Sequence, residues 1–349
     1  MARQQSRKIR QALQDAPQLR SFIIPNVRPT GRQLGGGSYG TVEELEIDGL
    51  ICAGKKLYDA LIDPENQGAQ HMVDKYYNEC RLLSDLHHPH IVQFLGICFL
   101  PDYRLPVLVM ERLQGSLDEL LESTADISLS TKISILQDVA RGLVYLHHRS
   151  PAVVHRDLSA RNVLLTLALT AKIADLGNSR IANIPPGQLS QTMTQVPGTL
   201  VYMPPEVLSS NPRYGPPLDM FSFGHLALFT AIQIFPKDLL IPTYYDPQAN
   251  QIKGRSEIER RVRHITTLHD KIGEAHPLAV LIKSCLEYEP AKRPSAKKAL
   301  QMLGDIKAEL NDPHHKLSKL QLERSLREKE ALLQQLPNLK TELQQLKAM

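Results

Sequence analysis

Cysteine is scarce: the 349-residue chain holds four, Cys52, Cys80, Cys98 and Cys285, far apart and with no Cys-x-x-Cys among them. That spacing argues against a disulfide framework and a cysteine zinc site, and it fits reduced thiols in an intracellular, cytoplasmic protein. His87, His88 and His90 cluster but lack further ligands at metal spacing. A surplus of one charge is missing too. The 41 Lys and Arg against 37 Asp and Glu leave a formal net charge of +4, too small and dispersed to make nucleic acid the main partner. Long apolar runs are absent as well. The longest nearly uncharged stretch, MFSFGHLALFTAIQIF from Met220 to Phe235, is shorter than a spanning helix and carries His225 and Gln233. It reads as a buried core helix, and no transmembrane segment is expected. The N-terminal stretch MARQQSRKIRQALQDAPQLR has basic residues but no apolar core, which argues against a secretory signal.

What is present is globular. With 42% hydrophobic and 22% charged residues, the chain can bury one large core or two modest lobes plus a tail. Residues 1–27 form a basic leader ended by the Pro25 to Pro29 stretch. From there to about residue 105 the pattern favours strands around glycine turns, as in GRQLGGGSYGTVEELEIDGLICAGKKL, HIVQFLGICFL and LPVLVMERL. Among them HMVDKYYNECRLLSDLHH carries Val73, Tyr76, Tyr77, Cys80, Leu83 and Leu86 at helical spacing, predicting one long helix. After residue 112 helices take over. In STKISILQDVARGLVYLHH, Ile133, Leu136, Val139, Leu143 and Leu146 recur at three or four, with Ser130 or Thr131 as the expected cap.

The expectation is an α+β chain with a small strand-rich lobe, about 28–111, and a larger helical lobe, about 114–308, joined by a hinge near MERLQGS. A tail over 312–349 follows, with Leu332, Leu336, Leu339, Leu343 and Leu346 spaced four, three, four, three. Pro337 interrupts that repeat, and proline inside a helix costs about 3 kcal/mol. Two readings of the tail stay open: a coiled coil through 317–349 that binds a partner or a second copy, and a solvated amphipathic helix.

Several stretches carry chemistry. In LGGGSYGTV, Gly35, Gly37 and Gly40 form Gly-x-Gly-x-x-Gly, followed by Val42. Lacking Cβ atoms, such a backbone can close over phosphate oxygens and aim N–H groups at them. A dinucleotide fingerprint needs a helix directly after the last glycine, whereas TVEELEID reads as strand. Lys55 follows in CAGKKL, and Glu79 lies on the predicted helix. A lysine that holds phosphates needs a carboxylate behind it, and a helical Glu supplies one. Then comes HRDLSARN, residues 155–162, which crowds His155, Arg156 and Arg161 around Asp157, with Asn162 five positions on.

HRDLxxxN resembles the catalytic loop of the protein kinases. Five fixed positions match by accident in a chain of this length about one time in 10,000. The resemblance continues in order: ADLGNS supplies Asp175, Leu176 and Gly177 where the family carries Asp-Phe-Gly, and GTLVYMPPEVL supplies Pro204, Pro205 and Glu206 for Ala-Pro-Glu. LDMFSFG resembles the family's Asp-x-Trp-Ser-x-Gly, with Phe221 for the tryptophan that this chain lacks throughout. CLEYEPAKRP carries Arg293, which the family pairs with Glu206.

The resemblance implies a two-lobed kinase fold over residues 28–308 and transfer of the γ-phosphoryl group of ATP to protein hydroxyls. It implies that Asp157 orients the hydroxyl and accepts its proton, that Lys55, fixed by Glu79 behind it, holds the phosphates, and that Asn162 and Asp175 bind Mg2+ or Mn2+. Arg161 is expected to help keep Asp157 ionised. Val42 and Ala53 would roof the adenine, Leu164 would floor it, Glu111 to Leu113 would bond its edge, and Met110 would limit the rear pocket. Leu83, Phe94, His155 and Leu176 would stack, tied near Asp219. Arg156 would capture a phosphorylated activation segment, with Ser179, Ser190, Thr192, Thr194 and Thr199 available and the middle three favoured.

Two signals conflict over the acceptor. DLSARN resembles the tyrosine-kinase form, with Arg161 four after Asp157 and Ser159 where serine/threonine kinases place a lysine. VPGTLVYMPPE resembles the serine/threonine form, with Thr199 set to bond Asp157. The mixture resembles the tyrosine-kinase-like branch, many of whose members phosphorylate Ser and Thr, and Ser and Thr are the favoured acceptors here. A tyrosine or dual-specificity kinase stays open, as does a pseudokinase or a scaffold that mainly carries the tail.

Overall fold

The structure is a computed structural model. It describes residues 17–37, 39–63, 68–123, 126–181, 202–208, 215–233, 245–246, 251–252, 268, 270–273 and 275–312. The leucine-rich tail from residue 313, for which two readings stand, residues 1–16 of the leader, and Ser190, Thr192, Thr194 and Thr199 lie outside the described residues.

The strand-rich region forms one antiparallel sheet of β1 (Val27–Gly36), β2 (Gly40–Ile47), β3 (Leu50–Leu57), β4 (Phe94–Cys98) and β5 (Val107–Glu111), in the order β1-β2-β3-β5-β4. The predicted long helix is α1 (Ala69–Ser84), which buries Met72, Tyr76, Tyr77, Glu79, Cys80 and Leu83 against the sheet. One hydroxyl fixes its docking. Tyr76 Oη lies 2.8 Å from the Lys55 carbonyl and 2.9 Å from the Pro106 carbonyl, and it accepts the Leu108 N–H at 2.9 Å. Helix and sheet therefore meet directly behind Lys55.

The leader is set apart by composition, but packing draws no line near residue 28. A short 3-10 helix, Pro17–Phe22, brings Leu19 to 1% exposure. Phe22 then meets the Phe94 ring edge-on at 5.3 Å, and Ile24 N–H donates to the Ile97 carbonyl at 2.8 Å. Gly96 makes this possible: a Cβ there would stand 2.4 Å from the Phe22 carbonyl oxygen, and its φ is +155°. The sheet edge at β4 is thus covered by the chain's own N-terminal segment, which leaves it unavailable for other strands.

The larger lobe is helical, as expected. After β6 (Gly115–Ser116), α2 (Leu117–Glu122) starts with a capping box in which Ser116 Oγ accepts the Glu119 N–H and Glu119 Oε2 accepts the Ser116 N–H. Helix α3 (Leu129–His147) buries Ile133, Leu136, Val139, Leu143 and Leu146. Its cap is Ser128, whose Oγ accepts the Thr131 N–H at 3.1 Å, not Ser130 or Thr131, which sit inside the first turn. The uncharged run becomes α4 (Pro216–Ile232), buried on every side from Leu218 onward. A helix apolar all round belongs in a core, and no helix among the described residues is long and apolar enough to cross a membrane. Lys132 and Lys271 donate to the Ala231 and Ile232 carbonyls at its C-terminus, where cations are favoured. Helices α5 (Pro277–Cys285) and α6 (Ala296–Asn311) complete the lobe.

Between the lobes run β7 (Val153–Val154), β8 (Val163–Leu165), β9 (Ala171–Ile173) and β10 (Arg180–Ile181). Strands β6, β8 and β9 form one small sheet and β7 pairs with β10. Ile173 joins the lobes by exchanging hydrogen bonds with the His90 carbonyl and the Val92 N–H. One hydrophobic cluster runs through both lobes.

Candidate active site

Strand register sets the upper wall. Val42 lies opposite Lys55 on β2 and β3, and Ala53 lies opposite Met110 on β3 and β5. Directly opposed residues share a face, and so do residues two apart, so Val42, Ala53, Lys55 and Met110 all point to one side of the sheet. That side is the cleft, because Lys55 Nζ bonds Asp175 of the lower lobe at 2.8 Å. Glu111 ends β5, and Leu113, buried, lies just beyond. Leu164 comes up from β8 in the larger lobe, partly buried against the same core.

The glycine-rich turn joins β1 to β2, with Gly37 N–H donating to the Gly40 carbonyl at 3.0 Å. Gly40 has no room for a side chain, since a Cβ would lie 1.9 Å from the Lys56 carbonyl oxygen. Around Gly35 and Gly37 the reverse holds: nothing stands within 4 Å of a would-be Cβ.

Lys55 Nζ reaches Glu79 Oε1 at 2.7 Å and Oε2 at 2.9 Å as well as Asp175. Burial opposes the charge on Lys55, but Asp175 and Glu79 outweigh it and hold the ammonium well above its usual range. Burial pushes the Glu79 carboxyl up while Lys55 pulls it down. Burial also works against the Asp175 charge, yet Lys55 prevails and its pKa falls to about 2, although the side chain keeps 42% exposure. Asp175 sits in the left-handed region at φ +57°, which Asp tolerates better than most residues, and its Oδ1 also accepts the Gly177 N–H. Gly177 lets Glu79 come this close, because a Cβ there would meet Glu79 Oε2 at 3.0 Å.

Below, the loop from β7 to β8 is hung from one carboxylate in α4. Asp219, fully buried, accepts the backbone N–H groups of His155 and Arg156 at 2.8 Å each, and His147 Nε2 lies 2.8 Å from its Oδ2. His155 Nδ1 accepts the Asp157 N–H at 3.2 Å and its Nε2 lies 3.0 Å from the Ala174 carbonyl. The Nε2–H tautomer satisfies both. Leu83, Phe94, His155 and Leu176, expected to stack, are all buried. Asn162 Nδ2 donates to the Asp157 carbonyl at 2.7 Å, and the Asn162 carbonyl accepts the Ala174 N–H, so Asp157, Asn162 and Asp175 are tied within one small loop system.

Two expectations change here. Arg161 does not attend Asp157: its side chain is 62% exposed and its Nε lies 3.5 Å from Asp118 on α2. A turn of 3-10 helix over Ala160–Asn162 carries it outward. Asp157 is instead pushed above the ordinary carboxylate range by burial, which the nearby His155 opposes. Asn178 Nδ2 donates to Asp157 Oδ2 at 3.0 Å, and the Asn178 and Asn162 carboxamides both favour the ionised form. Sequence reading did not single out Asn178. Arg156 Nη1 donates to the Asn178 carbonyl at 3.4 Å.

The pairing of Glu206 with Arg293 is formed, fork to fork, with Nη1 to Oε1 at 2.6 Å and Nη2 to Oε2 at 2.8 Å. Arg293 also donates to the Pro217, Glu287 and Tyr288 carbonyls and stacks over Phe221 at 4.8 Å.

The residues present fit a metal-bound nucleoside triphosphate. Open space faces Gly35 and Gly37, an ammonium is braced beside it, and Asp157 Oδ1 is buried with no hydrogen-bond partner. Among the described residues no group of three or more His, Cys, Asp or Glu could hold a metal. Asp175, whose side chain keeps 42% exposure, supplies the kind of carboxylate that Mg2+ takes, one or two from protein with its other ligands from phosphate and water.

A five-stranded sheet with a buttressing helix, set over a helical lobe with a Lys–Glu pair and facing aspartates at the junction, is the architecture of the protein kinase class. Residues 29–303 match the family model described as protein kinase domain. The chain is 30% identical over 285 residues to serine/threonine-protein kinase VIK of Arabidopsis thaliana, covering 81% of this chain and 60% of that protein. It is 32% identical over 278 residues to probable serine/threonine-protein kinase drkA of Dictyostelium discoideum, covering 79% and 39%. It is 28% identical over 280 residues to dual specificity protein kinase shkE of the same organism, covering 78% and 36%. This chain belongs to the protein kinase family, and its relatives are of the tyrosine-kinase-like type. It spans between about a third and three fifths of the length of these three relatives.

Proposed function

We propose that the chain is an active protein kinase that transfers the γ-phosphoryl group of ATP to Ser and Thr hydroxyls of protein substrates. The observation that carries this reading is the joint presence in one cleft of the Lys55–Glu79 pair and a buried Asp157 carboxylate with one oxygen unpartnered. A site that had lost transfer while keeping its fold would have no reason to maintain either, since both cost desolvation.

The chemistry needs positioning and charge neutralisation more than covalent help, because the transition state is loose and its negative charge is spread. The glycine-rich turn and Lys55 hold the triphosphate. Asn162 and Asp175 are the residues that would hold a divalent metal, which supplies charge neutralisation on the phosphates. Asp157 orients the acceptor hydroxyl and takes its proton. As the oxygen–phosphorus bond forms, the bond from Pγ to the bridging oxygen breaks and ADP leaves with that electron pair. Arg156, beside the backbone of Asn178, is the residue suited to receive a phosphorylated activation segment.

The serine/threonine preference is supported by the likeness to the serine/threonine-protein kinase VIK and the probable serine/threonine-protein kinase drkA. Dual specificity is the second reading, favoured by the DLSARN loop and by the likeness to shkE. Phosphoamino-acid analysis of autophosphorylated protein separates the two. Asp157→Ala is expected to keep ATP binding while transfer falls at least about 100-fold. Wild-type rates from that variant would overturn the role given to Asp157.

A further inference from the structure

We infer that Asn178 is a positioning residue for phosphoryl transfer, its carboxamide pinning one oxygen of the Asp157 carboxylate so that the other faces the incoming hydroxyl. The inference rests on the kinase reading above.

The two oxygens of Asp157 differ. Oδ2 accepts from Asn178 Nδ2 at 3.0 Å, and Oδ1 is buried without a partner. An unpartnered buried carboxylate oxygen is costly, and it is retained where a substrate group completes it. A carboxylate with both oxygens free can turn about its χ2; one held at Oδ2 presents Oδ1 in a fixed direction, which is what a near-attack geometry requires.

Within the catalytic loop, Asn162 Nδ2 makes its 2.7 Å hydrogen bond to the Asp157 carbonyl and not to Oδ2. Ser159 carries no charge, and Arg161 is turned outward to Asp118. Asn178 is itself anchored to that loop from both sides. Ser179 N–H closes the turn on the Leu176 carbonyl at 2.9 Å, and Ser179 Oγ donates to the His155 carbonyl at 3.3 Å. Arg156 Nη1 reaches the Asn178 carbonyl, and beyond Ser179 the chain pairs with β7 as Arg180↔Val154 and Ile181↔Val153. Donor and acceptor therefore belong to two segments laced to each other, so the bond locates the carboxylate and does not merely follow it. The side-chain type matters as well: an aliphatic group here offers no donor, and a carboxylate repels Asp157.

The test uses the full chain, γ-labelled ATP with Mg2+, and a peptide pool containing Ser, Thr and Tyr. Asn178→Leu keeps similar bulk without a donor, Asn178→His restores a donor through Nδ1–H, and Asn178→Ala guards against misfolding of the leucine variant. Loss of the donor is expected to lower kcat by about 10-fold or more, with KM for ATP and the calorimetric ATP dissociation constant within about twofold of wild type. The histidine variant is expected to regain most of the rate. A purely structural role would instead move ATP affinity and thermal stability alike and would show no rescue. Unchanged kcat in both donor-free variants, or equal loss in leucine and histidine variants, overturns the inference alone. A wild-type chain that transfers nothing overturns the kinase reading and this inference together.

Discussion

The carboxylates of the cleft carry the same charge under different constraints. Asp175 is held ionised by Lys55, Asp157 is pushed toward its neutral form by burial, and Asp219 serves the backbone. Burial alone would raise Asp219, but the hydrogen bond and charge of His147, then His155 and the Arg156 N–H, hold it below the ordinary carboxylate range. A depressed folded-state pKa means that its contribution to stability is complete above about pH 4 and is lost as pH falls through the lower folded value. Asp219→Asn is therefore expected to cost about 1–3 kcal/mol near neutrality and to flatten the decline of stability below pH 4. Urea unfolding at pH 7 and pH 3.5 measures both; a variant as acid-sensitive as wild type would remove Asp219 from this role.

At the scale of elements, two contacts do much of the assembly. Arg293 has its guanidinium fully buried and joins the short 3-10 helix Pro205–Leu208 to α4 and to the approach to α6. Arg293→Ala takes the guanidinium fork from a mostly buried Glu206 and is expected to cost about 3–5 kcal/mol in urea denaturation. Arg293→Lys should recover little, since an ammonium cannot form the fork. The N-terminal segment is the other contact. Leu19 packs at 1% exposure on the side of the small lobe that carries β4 and α1, the helix that presents Glu79. Leu19→Ala is expected to cost about 2 kcal/mol or more and to speed hydrogen exchange in β4 and α1 ahead of α3 or α4. Uniform exchange across both lobes would mean that the segment does not brace the helix.

For the whole molecule, function depends on two lobes meeting around one ligand. A nucleotide that binds only the folded chain stabilises it by about 2.7 kcal/mol at 100 times its dissociation constant. ATP with Mg2+ should therefore raise the melting temperature of wild type by several degrees. Asp157→Ala should keep that shift and Lys55→Met should reduce it, because the proposed mechanism gives the phosphates to Lys55 and the acceptor hydroxyl to Asp157. Equal shifts in the two variants would contradict the division of labour drawn above.

How much of this was legible differs by residue. Local signals determined the strands around the glycine turns, helix α1 with its buried spacing, the apolar core helix α4 and the order of the kinase-like stretches. Each depends on periodicity or on residues adjacent in the chain. Residue type leaves the cap of α3 open, because Ser128, Ser130 and Thr131 are alike in type and only backbone geometry selects Ser128. The leader looked separable by its basic composition, yet Leu19, Phe22 and Ile24 find partners some seventy residues away. Arg161 and Asn178 are the clearest cases. Proximity in sequence pointed to Arg161 as the companion of Asp157, but one turn of 3-10 helix carries it outward, and a carboxamide 21 positions downstream takes the contact. The sequence by itself determined which groups with which chemistry this protein owns, because motif and periodicity are written locally. Which oxygen of Asp157 is pinned, which cation stands aside and what braces the helix bearing Glu79 were decided only by tertiary structure, because those contacts exist only once distant segments are packed together.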